Sequence, residues 1–100
     1  MGELQVEVEP RDAGIDGGRL HRLTAYLDGL VEAGRMPGWQ LALSRGGRLA
    51  YVGSGGHRHA EQRLPVEADT LWRIYSMTKP VTSVAAMMLY EEGAFELTTP

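Results

Sequence analysis

One hundred residues, 43% of them apolar and 23% charged, are enough for one globular domain at most. The formal net charge is -3 and no basic stripe appears, so nothing neutralises a phosphate backbone and nucleic acid is excluded as a partner. The absence of cysteine excludes a disulfide framework, a thiolate nucleophile and a cysteine zinc site, and any nucleophile must be an oxygen or a nitrogen. Of the ten basic residues all are arginine except Lys79, and of the two side chains only lysine can lose its proton in a protein.

Residues 1–17 read as a lead. Met1-Gly2-Glu3-Leu4-Gln5-Val6-Glu7-Val8-Glu9 is an acidic alternation with neither a basic nor an apolar secretory region, which makes cytoplasmic residence the expectation. Gly2 is not followed by the Ser or Thr at position 6 that myristoylation requires, because Val6 stands there. Leu20, Leu23, Leu27, Leu30 and Val31 then recur at helical spacing, with Asp16 as the expected cap and Gly34 as the stop. Arg19, Arg22, Asp28 and Glu32 fall off that stripe, so the helix is expected to be amphipathic.

After the Pro37-Gly38 break, Trp39–Ser44 and Leu49–Val52 flank Arg45-Gly46-Gly47-Arg48, a hairpin signal in which the glycine pair supplies positive backbone angles. Gly53-Ser54-Gly55-Gly56 lacks the Gly-Lys-Ser/Thr step of a phosphate loop, since His57-Arg58-His59 follows it. His57, His59 and Glu61 alternate so that an extended segment places them on one face, as in a metal site, but histidines in such a loop are more often solvated, and neither metal nor cofactor is expected. Leu64-Pro65 and Glu67–Thr70 read as a surface connection.

Chemistry concentrates after Tyr75. Met77, Val81, Val84, Ala85, Met88 and Leu89 form a helical apolar face ended by Gly93, and Pro80 fits only if the helix starts just before it. Ser76 is thereby placed at the helix mouth, with Lys79 close to one turn later on the same side. A serine hydroxyl becomes an effective nucleophile when a base takes its proton, and lysine serves as that base where burial or positive potential favours the neutral amine. A helix N-terminus supplies such potential, and the Ser76 N–H would form half of an oxyanion hole. On spacing alone a second reading stands beside this one: Ser76 caps a packing helix and Lys79 is a solvated charge.

Thr70-Leu71-Trp72-Arg73-Ile74-Tyr75-Ser76-Met77-Thr78-Lys79-Pro80-Val81-Thr82 resembles the first active-site motif of the serine beta-lactamase-related hydrolases, which include class C beta-lactamases and beta-lactamase-like carboxylesterases. The likeness runs from about Gly18 to Pro100, through the helix, hairpin, Asp69-Thr70-Leu71 and Glu91–Leu97 in the family's N-terminal order. It implies an α+β fold, with 18–100 as the N-terminal part of a beta-lactamase-related domain: amphipathic helix, antiparallel hairpin, loop, then a buried helix opening with Ser-x-x-Lys. It also implies that Ser76 is the acylated nucleophile and Lys79 its activating partner, acting on a small-molecule ester or amide; without an export signal the esterase-like branch is favoured.

The family's second motif, with its Tyr or Ser, and its third, Lys/His/Trp-x-Gly, have no counterpart here, and Tyr75 and Tyr90 do not match their surroundings. Tyr75 is read as a core residue or pocket wall. No residue from Pro80 to Tyr90 is charged, so this helix is expected to be buried nearly all round, although at 11 residues the stretch falls short of the roughly 20 a membrane span needs. One amphipathic helix and a hairpin cannot cover it. The expected partner is the missing C-terminal portion of the same fold, without which the chain is expected to be inactive; the alternative is a non-catalytic remnant or interaction module.

Overall fold

A computed structural model describes residues 3–100. Met1 and Gly2, where lipidation was weighed, lie outside the described residues. The chain divides into two compact units, residues 1–70 and 71–100.

In the first unit a short 3-10 turn, Pro10–Ala13, precedes helix α1, Gly17–Glu32. Asp16 caps α1 as its sequence position predicts, its carboxylate accepting the Arg19 N–H at 2.8 Å. At the other end the Gly34 N–H donates to Val31 and the Arg35 N–H to Leu30, with Gly34 at φ +70, so the glycine stop satisfies the last carbonyls. The half-buried edge is Leu20, Thr24, Leu27, Leu30 and Val31. Leu23 stays 39% exposed, because the inward row steps by four residues from Leu20 to Thr24.

Strand β1, Gly38–Arg45, pairs antiparallel with β2, Arg48–His59. The turn between them is Gly46-Gly47, at φ +59 and +76, as a two-residue hairpin requires. Leu43 faces Tyr51 while Ser44 faces Leu49, so Ala50 is the extra residue of a bulge, and it is only 1% exposed. Beside the bulge, the Glu7 and Val8 N–H groups donate to the Leu49 carbonyl and the Glu7 carboxylate accepts the Leu49 N–H, which ties the acidic lead to the sheet.

Two expectations are corrected here. β2 continues well past Val52, and Leu64-Pro65, read as a surface connection, is a short strand β3 that pairs with His57 and His59. The sheet order is β1-β2-β3. Proline is tolerated there because β3 is an edge strand, where a missing donor costs no ladder bond.

The glycines of 53–56 are explained by this extended strand. A Cβ on Gly55 would lie 2.6 Å from both the Trp39 indole nitrogen and an Asp28 carboxylate oxygen, and one on Gly56 would meet the Gly38 backbone at 2.7 Å. The indole N–H donates to Asp28 at 2.9 Å, and Trp39, Ala50 and Val66 are the buried apolar residues of the unit. Asp28, expected to fall away from the packing stripe, thus joins α1 to β1. We expect Gly55→Ala to lower stability by about 1–3 kcal/mol, the usual cost of overpacking, as read by urea unfolding followed through tryptophan fluorescence.

The second unit holds a 3-10 turn, Tyr75–Met77, running directly into helix α2, Thr78–Glu91. Gly93 at φ +76 ends α2 in the same way as Gly34 ends α1: its N–H donates to Tyr90 and the Ala94 N–H to Leu89. The Tyr90 and Phe95 rings meet at a centroid distance of 6.0 Å. Together the two helices and the antiparallel sheet make an α+β architecture, as the sequence implies. The burial expected of the motif helix differs: no residue of α2 is buried among the described residues, and Val81, Val84 and Met88 are each at least 60% exposed. Its apolar surface runs all round, so no single neighbouring element could cover it.

Candidate functional site

Ser76 and Lys79 both lie in the second unit, at the start of its helical segment. The segment approaching them, Leu71–Ile74, is irregular. Ile74 has right-handed backbone angles, φ -89 and ψ -1, and Tyr75 then takes φ +47. The Met77 N–H donates to the Ile74 carbonyl at 3.0 Å, and the Thr78 N–H reaches the Tyr75 and Ser76 carbonyls. Ser76 is therefore the middle residue of a single 3-10 turn, two residues ahead of the start of α2.

This placement refines the expected helix mouth. Met77 and Thr78 both keep right-handed angles, so the path from Ser76 to Lys79 is continuous helical backbone and the two lie about one turn apart. Pro80 occupies the third position of α2, where an amide has no intrahelical acceptor and its absence is harmless. Both Ser76 and Lys79 are exposed. No side-chain hydrogen bond caps the start of α2.

Tyr75, read as a core residue or pocket wall, is 79% exposed, so it is no part of a core within these residues. Its positive φ had no signal in the sequence. Glycine, asparagine or aspartate would have flagged such a position, and a tyrosine does not. Tyr90 belongs to the ring contact with Phe95 at the far end of α2.

His57 and His59 stand at the end of β2, and the His59 Nδ1 atom accepts the Gln62 N–H at 3.3 Å. Among the described residues no group of three or more His, Cys, Asp or Glu side chains is gathered to hold a metal ion. Nor is any described helix long and apolar enough to cross a membrane.

The model of the Beta-lactamase family matches residues 23–100, a stretch that includes most of α1, the whole sheet, the 3-10 turn and α2. The chain belongs to the Beta-lactamase family. Among curated relatives, Protein Rv1367c of Mycobacterium tuberculosis is 41% identical over 71 residues, which are 71% of this chain and 18% of that protein. Esterase EstB of Burkholderia gladioli is 32% identical over 79 residues, which are 79% of this chain and 20% of the esterase. This Beta-lactamase family chain thus spans about a fifth of the length of the curated relatives it matches.

The local geometry separates a capping serine from a free one. Replacing Asp16, which caps α1, by Ala should cost about 1 kcal/mol. Ser76→Ala should change stability by no more than about 0.5 kcal/mol, as for other surface positions. Urea unfolding monitored by circular dichroism checks both; a loss at Ser76 equal to that at Asp16 would assign the hydroxyl a capping role.

Proposed function

We propose that this family member is a serine hydrolase of the esterase type, with Ser76 as the acylated nucleophile and Lys79 as the base that activates it. The observation that carries this reading is the placement of Ser76 and the only lysine of the chain about one turn apart at a helix start, inside the stretch matched by the family. An esterase among the relatives supports the choice of ester over lactam as substrate.

In the proposed reaction the Ser76 Oγ attacks the carbonyl carbon of a small-molecule ester or amide while its proton passes to the Lys79 amine. The substrate oxygen becomes an oxyanion, which the Ser76 N–H can meet because first-turn amides have no intrahelical acceptor. Collapse expels the alcohol or amine, which leaves with the proton held by Lys79. Water then attacks the acyl-serine ester, releasing the carboxylic acid and restoring the hydroxyl. Arginine could not fill the role of Lys79, since a guanidinium keeps its proton.

A complete hydrolase needs a second oxyanion donor and walls for the acyl and leaving groups. The relatives carry most of their length outside the matched stretch, and we assign these groups, and the cover over the apolar faces of α2, to such further polypeptide. A non-catalytic interaction module is the second reading, favoured by the exposure of Val81, Val84 and Met88.

A fluorophosphonate probe distinguishes the two in protein expressed from the complete reading frame that contains these residues. Peptide mapping should find the label on Ser76 and none in Ser76→Ala. Lys79→Arg should slow labelling by about a hundredfold or more, the usual contribution of a positioned base. If the unaltered protein is never labelled at Ser76, the catalytic reading is wrong and the interaction module takes its place.

A further inference from the structure

We propose that the first unit carries a binding site of its own, a cleft at the C-terminal end of α1 that takes a small organic carboxylate with an apolar body. The inference does not depend on the acyl-serine reading. A cavity of about 530 Å³ opens between the end of α1, the entry to β1 and the turn from β2 to β3, and every residue lining it belongs to the first unit. That volume lies within the roughly 300–1,000 Å³ of small-molecule pockets. Val31, Met36 and Pro37 give the cleft an apolar wall. Glu32, Arg35, His57 and Arg63 bring polar groups to it, and none of these four side chains has an ion pair or side-chain hydrogen bond among the described residues.

Backbone contacts hold the residues that line the cleft. Gly34, at φ +70, ends α1, and the Arg35 N–H donates to the Leu30 carbonyl at 2.9 Å, which fixes the chain where Arg35 leaves the helix. The His57 N–H donates to the Pro37 carbonyl at 2.8 Å, and a Cβ on Gly38 would lie 2.8 Å from the His57 carbonyl oxygen, so β1 begins in direct contact with β2. The turn that carries Arg63 is fastened twice, the Gln62 N–H donating to the His59 Nδ1 atom at 3.3 Å and the Arg63 N–H to the Ala60 carbonyl at 3.2 Å. Arg63 itself has φ +51, a left-handed angle that glycine or asparagine takes at less cost. An arginine kept there supplies what those residues lack, a guanidinium at the cleft.

The balance of charge selects the ligand. Two arginines and one glutamate line the cleft, which also adjoins the negative end of α1, so the surplus of positive charge is small. A singly charged carboxylate matches that surplus better than a doubly charged phosphate, and the planar guanidinium fork fits it with two parallel hydrogen bonds. The wall of Val31, Met36 and Pro37 then favours hydrocarbon beyond the carboxylate.

Titration calorimetry on protein from the complete reading frame tests the assignment, with hexanoate, acetate, 1-hexanol and inorganic phosphate as probes. Hexanoate should bind at least about tenfold more tightly than each of the others. Arg35→Gln and Arg63→Asn should each weaken hexanoate about tenfold or more, and Arg63→Asn should do so without loss of stability, because asparagine accepts the left-handed angle. Glu32→Gln should tighten hexanoate about threefold, a gain that damage to the fold would not produce. Failure of hexanoate to bind overturns the inference, as it would if further polypeptide fills the cleft. So does binding that all three variants leave unchanged, which would move the ligand elsewhere, and equal binding of 1-hexanol or phosphate, which would remove the carboxylate from the assignment. Should the arginine variants fail to fold by circular dichroism, Glu32→Gln decides: tighter binding supports the site, and unchanged or weaker binding overturns it.

Discussion

The first unit depends on one close approach, that of the Trp39 indole to β2 at Gly55 with Asp28 holding the indole N–H. No side chain could stand at Gly55 without displacing the ring or the carboxylate. The same contact links α1, which carries Asp28, to β1, which carries Trp39, and so sets the helix over the hairpin. The neighbouring features agree with it. Gly56 lets the Pro37-Gly38 backbone pass, and the bulge at Ala50 brings a small residue into the interior where the lead bonds to Leu49. A core of Trp39, Ala50 and Val66 is small, so hydrogen bonds across its edges carry much of the definition of this unit.

The second unit is organised differently. Its helix is closed at the C-terminal end by Gly93 and followed by the Tyr90–Phe95 contact, while its flanks offer valine, methionine and leucine to the surroundings. Apolar area exposed on every side of one helix is characteristic of an element that lies in the middle of a larger domain.

What was legible in the sequence was whatever is decided locally. Asp16 as cap, Gly34 and Gly93 as stops and Gly46-Gly47 as the hairpin turn each follow from conformational preferences of one or two residues. The Ser76 to Lys79 spacing was legible for the same reason. What escaped depends on partners distant along the chain or on backbone angles without a residue signature. Asp28 looked like a solvent-facing charge because its partner is 11 residues away on another element. Strand β3 was hidden by its two-residue length and its proline, and Thr24 replaced Leu23 on the inward row because the sheet selects the face. The angle at Tyr75 shows only in the folded chain.

Ser76 and Lys79 are carried by one continuous stretch of helical backbone, and this sets what can disturb them. Their spacing is a property of a single rigid segment, so α2 could shift or tilt as a body and carry both groups along with their separation unchanged. Changes in the packing around α2 would then move the two residues together more readily than they would alter their spacing. Two side chains carried in this way form a cassette whose internal spacing does not depend on the packing around it.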